Sequence, residues 1–133
     1  MSTKYKEEAS LYSSKKTLGV LHLFSENDQI LDQSIFPLKS GDNFIGSSRH
    51  CDIILPYSSI DGMLCKISLN PDNEYTIEDL GSKIGIYRTL HDQLRQKLKP
   101  NKVYDLYPEK PFYIGDQYRC VFRPAPSKST LFL

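Results

Sequence analysis

Serine, arginine, histidine and aspartate side chains are concentrated between residues 47 and 61 of the chain. Within this stretch, Ser58, Ser59 and Asp61 could supply the hydroxyl and the carboxylate of a hydrolytic site, but no histidine accompanies them in a motif that pairs a nucleophile with a base. The chain also contains no Gly-x-Ser-x-Gly, no P-loop and no Gly-x-Gly-x-x-Gly after a strand. We therefore predict that the protein is not an enzyme.

The three cysteines, Cys51, Cys65 and Cys120, are predicted to be buried free thiols. They are odd in number, far apart and without CxxC spacing, and each lies in a β-like apolar run. Free thiols are typical of a reducing compartment such as the cytosol or the nucleus. The histidines have no metal-ligand spacing with each other or with the cysteines. We expect neither a metal ion nor a cofactor.

The length and the charge of the chain narrow the class of protein further. A chain of 133 residues forms one domain, and 17 basic against 16 acidic residues give a net charge of +1. This balance creates no overall field that would attract nucleic acid or an acidic membrane. There is no apolar run near 18 residues, and the first 16 residues are polar, so neither a membrane span nor a secretory signal is expected. We predict no direct binding to nucleic acid or to a membrane.

Short extended segments follow one another through the chain, separated by glycine, proline and asparagine. We predict a polar tail at residues 1–16, a domain at 17–124 and a second tail at 125–133. About ten short strands with this spacing indicate an antiparallel β-sandwich or barrel. Only residues 89–98, where leucine recurs every fourth position, could form a short helix, and we favour an irregular loop there.

Two segments carry a recognisable pattern. The first runs from Ile45-Gly46 through Cys51-Asp52-Ile53-Ile54-Leu55-Pro56 to Ile60, and the second is Asp79-Leu80-Gly81-Ser82 followed by Gly85. The pattern resembles the forkhead-associated (FHA) domain, a β-sandwich that normally reads phosphothreonine. The resemblance covers about residues 18–123, and it implies an all-β fold of about eleven mostly antiparallel strands in two sheets.

The residues with which FHA domains grip a phosphopeptide are replaced in this chain. The family's arginine, serine, histidine and asparagine positions are occupied by Ser47, Asp61, Leu64 and Ile84. A hydrogen bond to a charged group contributes about 1.5–3 kcal/mol, so losing three or four removes about 5–10 kcal/mol if they are additive. A micromolar complex has only about 8.2 kcal/mol in total. We predict that phosphothreonine recognition is lost.

Three neighbouring residues offer an alternative. Ser48, Arg49 and Lys83 lie in the same two segments and could provide rebuilt contacts to a phosphate. The simpler interpretation is that Arg49 and Lys83 are solvated loop charges, and we favour it.

The first strand suggests a more specific relationship. Leu21-His22-Leu23-Phe24 and the Leu-Pro-x-x-Ser-Ile turn are similar to the N-terminal FHA domain of the mediator of DNA-damage checkpoint family. That similarity implies a homodimerising interaction module in a nuclear scaffold protein of the DNA-damage response or of mitosis. Its partners would be a second copy of itself and other DNA-damage-response proteins. Because no Ser-Gln or Thr-Gln pair occurs in the chain, the dimer should not depend on phosphorylation by a damage kinase.

Two surfaces could form such a dimer, and the sequence does not choose between them. Tyr57, Met63 and Leu64 lie beside the former ligand site and could extend an apolar patch there, although Leu64 could instead pack inward. The alternative is a face of the sheets, because aromatic residues are enriched in interface cores. The tyrosines that could lie on it are Tyr104, Tyr107 and Tyr113.

Overall fold

The computed structural model describes residues 17–27, 29–91 and 94–126. These residues form eleven β-strands and no α-helix, which confirms the predicted all-β fold. In chain order the strands are β1 (Thr17–Ser25), β2 (Ile35–Lys39), β3 (Gly41–Gly46), β4 (Ile53–Ile54), β5 (Cys65–Asn70), β6 (Glu74–Asp79), β7 (Ile86–Thr89), β8 (Arg95–Lys97), β9 (Val103–Asp105), β10 (Phe112–Ile114) and β11 (Tyr118–Pro124).

The strands form two sheets. The six-stranded sheet has the order β2-β1-β11-β10-β7-β8, and the five-stranded sheet has the order β4-β3-β5-β6-β9. All paired strands are antiparallel except β3 and β4, which run parallel. The arrangement confirms the predicted sandwich of two mostly antiparallel sheets.

The core lies between the sheets and follows the two-residue period of the strands. In β5, the alternate residues Cys65, Ile67 and Leu69 are buried, and β11 shows the same alternation. Strand β1 differs, since residues 19–23 are all buried and both faces of the strand are covered there. Removal of these apolar side chains from water is the main force that holds the sheets together.

The three cysteines are free and buried, as predicted. Burial raises the pKa of the Cys65 thiol and of the Cys120 thiol well above the usual value. Both therefore stay protonated near neutral pH and are poor nucleophiles.

The segment from Thr89 to Leu98 is neither a helix nor an irregular loop throughout, so that expectation was wrong. Strand β8 pairs with β7 in a hairpin, and the Leu98 N–H continues the pairing by donating to the Ile86 carbonyl at 2.8 Å. Leu98 is buried whereas Leu94 is 62% exposed, so the regular leucine spacing does not mark one apolar face. Residues 92 and 93 lie outside the described residues.

The ends of the chain also lie largely outside the described residues. The tails at 1–16 and 125–133 and the domain limits of 17–124 therefore stay predictions. No helix of the described residues is long and apolar enough to cross a membrane.

Gly46, the last residue of β3, allows two segments of backbone to approach closely. A Cβ atom at this position would overlap the carbonyl oxygen of Gly62 and would lie 3.0 Å from that of Asp61. By contrast, a Cβ atom at Gly62 would meet no atom within 4 Å. The chain therefore requires glycine at position 46 for steric reasons and tolerates a side chain at position 62.

We expect Gly46→Ala to lower the free energy of unfolding by about 1–3 kcal/mol, because backbone must move to admit the methyl group. Gly62→Ala is the matched control and should change it by no more than about 0.5 kcal/mol. Urea denaturation followed by tyrosine fluorescence would measure both. Equal stability of the two variants would contradict the close approach.

Candidate functional site

Three loops converge at one end of the sandwich. The first loop, residues 47–52, joins β3 to β4, and the second loop, residues 55–64, joins β4 to β5. The third loop, residues 80–85, joins β6 to β7. We call them together the three-loop site. All of the positions that the sequence suggested for phosphopeptide binding lie on these loops.

Backbone hydrogen bonds fasten the first loop to the second. The Ser47 N–H donates to the Asp61 carbonyl at 2.9 Å, and the Ser48 N–H donates to the Gly62 carbonyl at 3.1 Å. These bonds form where the two segments pass beside Gly46. A side-chain contact adds to these two backbone bonds, because the Cys51 thiol also donates to the Gly62 carbonyl at 3.3 Å.

The Asp61 carboxylate fastens the second loop to the third. Its Oδ2 accepts the Lys83 N–H at 2.9 Å, and its Oδ1 accepts the Ile84 N–H at 3.3 Å. A carboxylate that accepts backbone N–H groups makes charge-assisted hydrogen bonds, which are stronger than neutral ones. The negative charge at the family's serine position therefore has a structural role, which the sequence did not indicate.

The third loop is shaped by a buried aspartate at the end of β6. Asp79 Oδ1 accepts the Gly81 N–H at 3.0 Å and the Ser82 N–H at 2.8 Å, and the Ser82 hydroxyl accepts the Gly85 N–H at 3.1 Å. Gly81 and Gly85 have φ angles of +87° and +83°, a backbone conformation that residues with a side chain rarely adopt. The Asp-x-Gly-Ser sequence is the readable signal for this turn.

An aspartate of the first loop holds that loop against the body of the sandwich. Asp52 accepts a hydrogen bond from the Lys39 ammonium at 2.8 Å and another from the Phe44 N–H at 2.8 Å. The hydrogen bond from Lys39 is the main cause that lowers the pKa of the Asp52 carboxyl below its usual value, and the hydrogen bond from the Phe44 amide is the second. These two contacts explain why an aspartate stands at position 52 of the Cys-Asp-Ile pattern, without any role in ligand binding.

Leu64 and Ile84 both pack against the protein. Leu64 is fully buried in the core, so its side chain does not reach the surface and cannot make the dimer contact predicted for it. Ile84 packs over Gly115, where a Cβ atom would come within 2.6 Å of its Cγ1. Neither residue presents a polar group to a peptide.

The remaining predicted residues are more accessible. Arg49 and Lys83 are exposed, and neither side chain forms an ion pair within the described residues. The Ser48 hydroxyl accepts the His50 N–H at 3.1 Å. These residues therefore lie on loops from which they could contact a phosphate. The exposure of Arg49 and Lys83 agrees equally well with the interpretation that they are solvated loop charges.

Tyr57 and Met63, both on the second loop, differ in exposure. The Tyr57 ring is half-buried and stacks on Tyr118, with 5.6 Å between the ring centroids. Burial raises the pKa of Tyr57. Met63 is 43% exposed, and its sulfur lies 3.6 Å from that of Cys51. Of the three loop residues suggested for a dimer, Met63 offers the most apolar surface.

The FHA domain profile matches residues 43–115, more than half of the chain, and the chain belongs to the FHA domain family. FHA domains are protein–protein interaction modules that act through phosphothreonine. A comparison with curated protein sequences gave no significant match.

Solved structures of FHA domains have the same fold. The FHA domain of the Chlamydia trachomatis CT664 protein is 24% identical with a TM-score of 0.62, and the match covers 83% of this chain and 100% of that chain. An FHA domain of an Arabidopsis thaliana hypothetical protein is 17% identical, with a TM-score of 0.64 and coverage of 85% and 92%. The N-terminal FHA domain of Saccharomyces cerevisiae Rad53p, solved with a phosphothreonine peptide, is 19% identical, with a TM-score of 0.62 and coverage of 86% and 99%. At these identities the likeness establishes the fold.

We expect Asp61→Ala to lower the free energy of unfolding by about 1–3 kcal/mol, because the Lys83 and Ile84 amides lose their acceptor. Amide hydrogen exchange at these two residues should become faster, which NMR spectroscopy would detect. Asp72→Ala is the control, since Asp72 lies exposed in the turn between β5 and β6. Unchanged exchange at both amides would show that Asp61 does not hold the third loop.

Proposed function

We propose that this FHA domain is a non-catalytic protein–protein interaction module that does not recognise phosphothreonine in the manner usual for its family. The observation that carries the proposal is the Asp61 carboxylate, which accepts the amides of Lys83 and Ile84 within the three-loop site. An anion that belongs to the protein thereby stands where the family presents a hydroxyl to the phosphate.

Electrostatics supports this proposal. A phosphate oxygen within about 5 Å of the Asp61 carboxylate would be repelled by about 3 kcal/mol per unit charge at an effective dielectric constant near 20. A phosphothreonine carries about −1.5 to −2 charges at neutral pH, which multiplies the repulsion. Ser47, Leu64 and Ile84 offer no arginine, histidine or asparagine to compensate for it.

A second candidate is a phosphothreonine reader with rebuilt contacts. It is supported by the exposure of Arg49 and Lys83, whose side chains have no carboxylate partner among the described residues. With the Ser48 hydroxyl, they could supply two cations and one donor to a phosphate. The two candidates make opposite predictions for the same titration.

We propose further that the domain homodimerises in a nuclear scaffold protein of the DNA-damage response or of mitosis, with other proteins of that response as additional partners. The nuclear role is supported by the resemblance of the first strand to the mediator of DNA-damage checkpoint family. Self-association is supported by the outer face of the six-stranded sheet. A cross-strand row of aromatic and basic residues extends over this face, and we call it the aromatic row: Phe24, Arg119, Tyr113, Tyr87 and Lys97.

The aromatic row has the composition of an interface centre. Arg119 lies 4.2 Å from the centroid of the Phe24 ring, and Arg95 lies 3.5 Å from the centroid of the Tyr113 ring. Tyrosine and arginine are enriched among the residues that dominate binding energy in interfaces. Of the tyrosines considered from the sequence, Tyr113 belongs to this face, whereas Tyr104 and Tyr107 lie at the edge of the sandwich.

Titration with phosphothreonine peptides tests the loss of the phosphate site. We expect the native chain to bind a degenerate phosphothreonine library no more tightly than the unphosphorylated library at micromolar concentrations. The variant Ser47→Arg/Asp61→Ser/Ile84→Asn should gain phosphate-dependent binding, because it restores three of the family's four residues and leaves only the buried Leu64 unchanged. Native binding that needs the phosphate and disappears in Arg49→Ala would establish the second candidate instead.

Light scattering tests the dimer. We expect a mass of about twice 15.3 kDa at micromolar concentrations. Tyr113→Glu should weaken association about 30-fold or more, as expected for a central interface residue contributing at least about 2 kcal/mol. Met63→Glu is the comparison at the three-loop site and should leave the dimer intact. A native monomer contradicts homodimerisation, and a dimer sensitive only to Met63→Glu contradicts the choice of face.

A further inference from the structure

A second concave surface lies between the two sheets, on the side where β8 and β9 are the outermost strands. We call it the edge cleft. Its volume is about 250 Å³, and its floor consists of four buried apolar side chains: Ile77, Leu98, Leu106 and Phe112. Core residues that line an open cleft leave apolar surface that an incoming side chain can cover.

The edge cleft lies away from the three-loop site. Its lining includes Thr89, the last residue of β7, whereas the third loop leads into the first residue of that strand. It also includes Asp105, which pairs with Thr76 near the start of β6, while the third loop follows the end of β6. The edge cleft and the three-loop site are therefore separate surfaces of the domain.

The dimensions of the cleft favour a peptide side chain over a cofactor. Pockets for drug-sized ligands and cofactors have volumes of about 300–1,000 Å³, so this cleft is small for them. One leucine or phenylalanine side chain suits it better. Full burial of such a side chain contributes about 1.5–3 kcal/mol, which corresponds to about 10-fold to 150-fold in affinity.

The rim of the cleft is basic and aromatic. The Arg88 guanidinium lies 4.8 Å from the centroid of the Tyr104 ring, and the Lys102 ammonium lies 5.2 Å from the same centroid. Lys110 lies 5.4 Å from the centroid of the Tyr107 ring. None of these three cations forms an ion pair with a carboxylate in the part of the chain that the structure describes. Lys102 and Lys110 are therefore available to the carboxylates of a partner, whereas the Arg88 Nε–H already donates to Gln96 Oε1 at 2.6 Å.

The segment beside the cleft strengthens this positive charge. Residues 94–102, which we call the basic segment, carry four cations and no acidic residue, although the whole chain has a net charge of only +1. The four cations are exposed. Lys99 and Lys102 lie beside Tyr104 at the cleft, whereas Arg95 contacts the aromatic row and Lys97 belongs to it, on the outer side of the six-stranded sheet. Among the described lining residues of the cleft, Asp105 is the one acidic side chain. A local surplus of positive charge selects acidic partners and speeds their association.

We propose that the edge cleft binds an acidic peptide segment of a partner protein, with one apolar side chain on the floor and flanking carboxylates on the rim and on Lys99 and Lys102. Single-stranded nucleic acid fits less well, because its bases need exposed aromatic faces for stacking. The floor here is mostly aliphatic, with Phe112 as its one aromatic side chain, and Phe112 is buried.

The probe is a fluorescent peptide with a central Leu-Phe pair and acidic residues on both sides. We expect anisotropy titrations to give a dissociation constant in the micromolar range and a marked weakening with salt. The same peptide with Ala-Ala at the centre should bind at least about tenfold more weakly. NMR chemical-shift changes should centre on Leu98, Tyr104 and Leu106. Changes centred on the three loops would overturn the location.

Matched charge variants separate this site from general attraction to a basic surface. Lys102→Gln/Lys110→Gln removes two rim cations and should weaken binding severalfold. Lys39→Gln/Lys66→Gln removes the same charge elsewhere and should leave binding nearly unchanged. Equal effects of the two pairs would overturn the proposal.

Other occupants predict different results. An oligonucleotide that displaces the peptide as well as an acidic competitor of equal charge would indicate nucleic acid and overturn the proposal. A native dimer that dissociates when the peptide binds would indicate that a second copy occupies the cleft, and this also overturns it. Because Asp61 and Arg49 lie outside the cleft, failure of the phosphate proposal would leave these results unaffected.

Discussion

Backbone amides that need acceptors govern the loop end of this sandwich. A polar group that is removed from water without a partner costs about 1–3 kcal/mol, so converging loops must satisfy one another's N–H groups. Asp79 accepts two such groups inside the third loop, and Asp61 accepts two more from the neighbouring loop. Gly46 lets the first and second loops approach closely enough for their carbonyls and amides to meet. The position of every candidate binding residue depends on these contacts.

The groups that hold these loops in place differ in kind from the groups that bind a phosphate. Groups that hold the loops in place need only accept backbone hydrogens, and a carboxylate does this as well as any acceptor. Groups that hold a phosphate must instead present donors and positive charge. Asp61 satisfies the first requirement and opposes the second. A single carboxylate can therefore preserve the geometry of the loops while it opposes the approach of another anion.

The sequence predicts the features that rest on local pattern. Short extended segments separated by glycine, proline and asparagine indicated the strands, and Asp79-Leu80-Gly81-Ser82 with Gly85 resembled an FHA motif, because both signals are encoded within a few positions. Strand β8 escaped prediction, since Arg95–Lys97 is exposed throughout and has no two-residue alternation. The role of Asp61 escaped for another reason. Its partners are backbone amides 22 and 23 residues away, and an amide has the same chemistry in every residue but proline.

Net charge hides how unevenly this domain is charged. The value of +1 for the chain indicates no preference for any charged partner. In the fold, however, the three-loop site contains a fixed carboxylate, while Arg88 and Lys110 border an apolar cleft near the opposite strand ends. Electrostatic attraction acts over about 8–10 Å at physiological ionic strength, so such local surpluses matter more to a partner than the sum over the chain. A domain that discourages anions at one end can therefore attract acidic segments at the other.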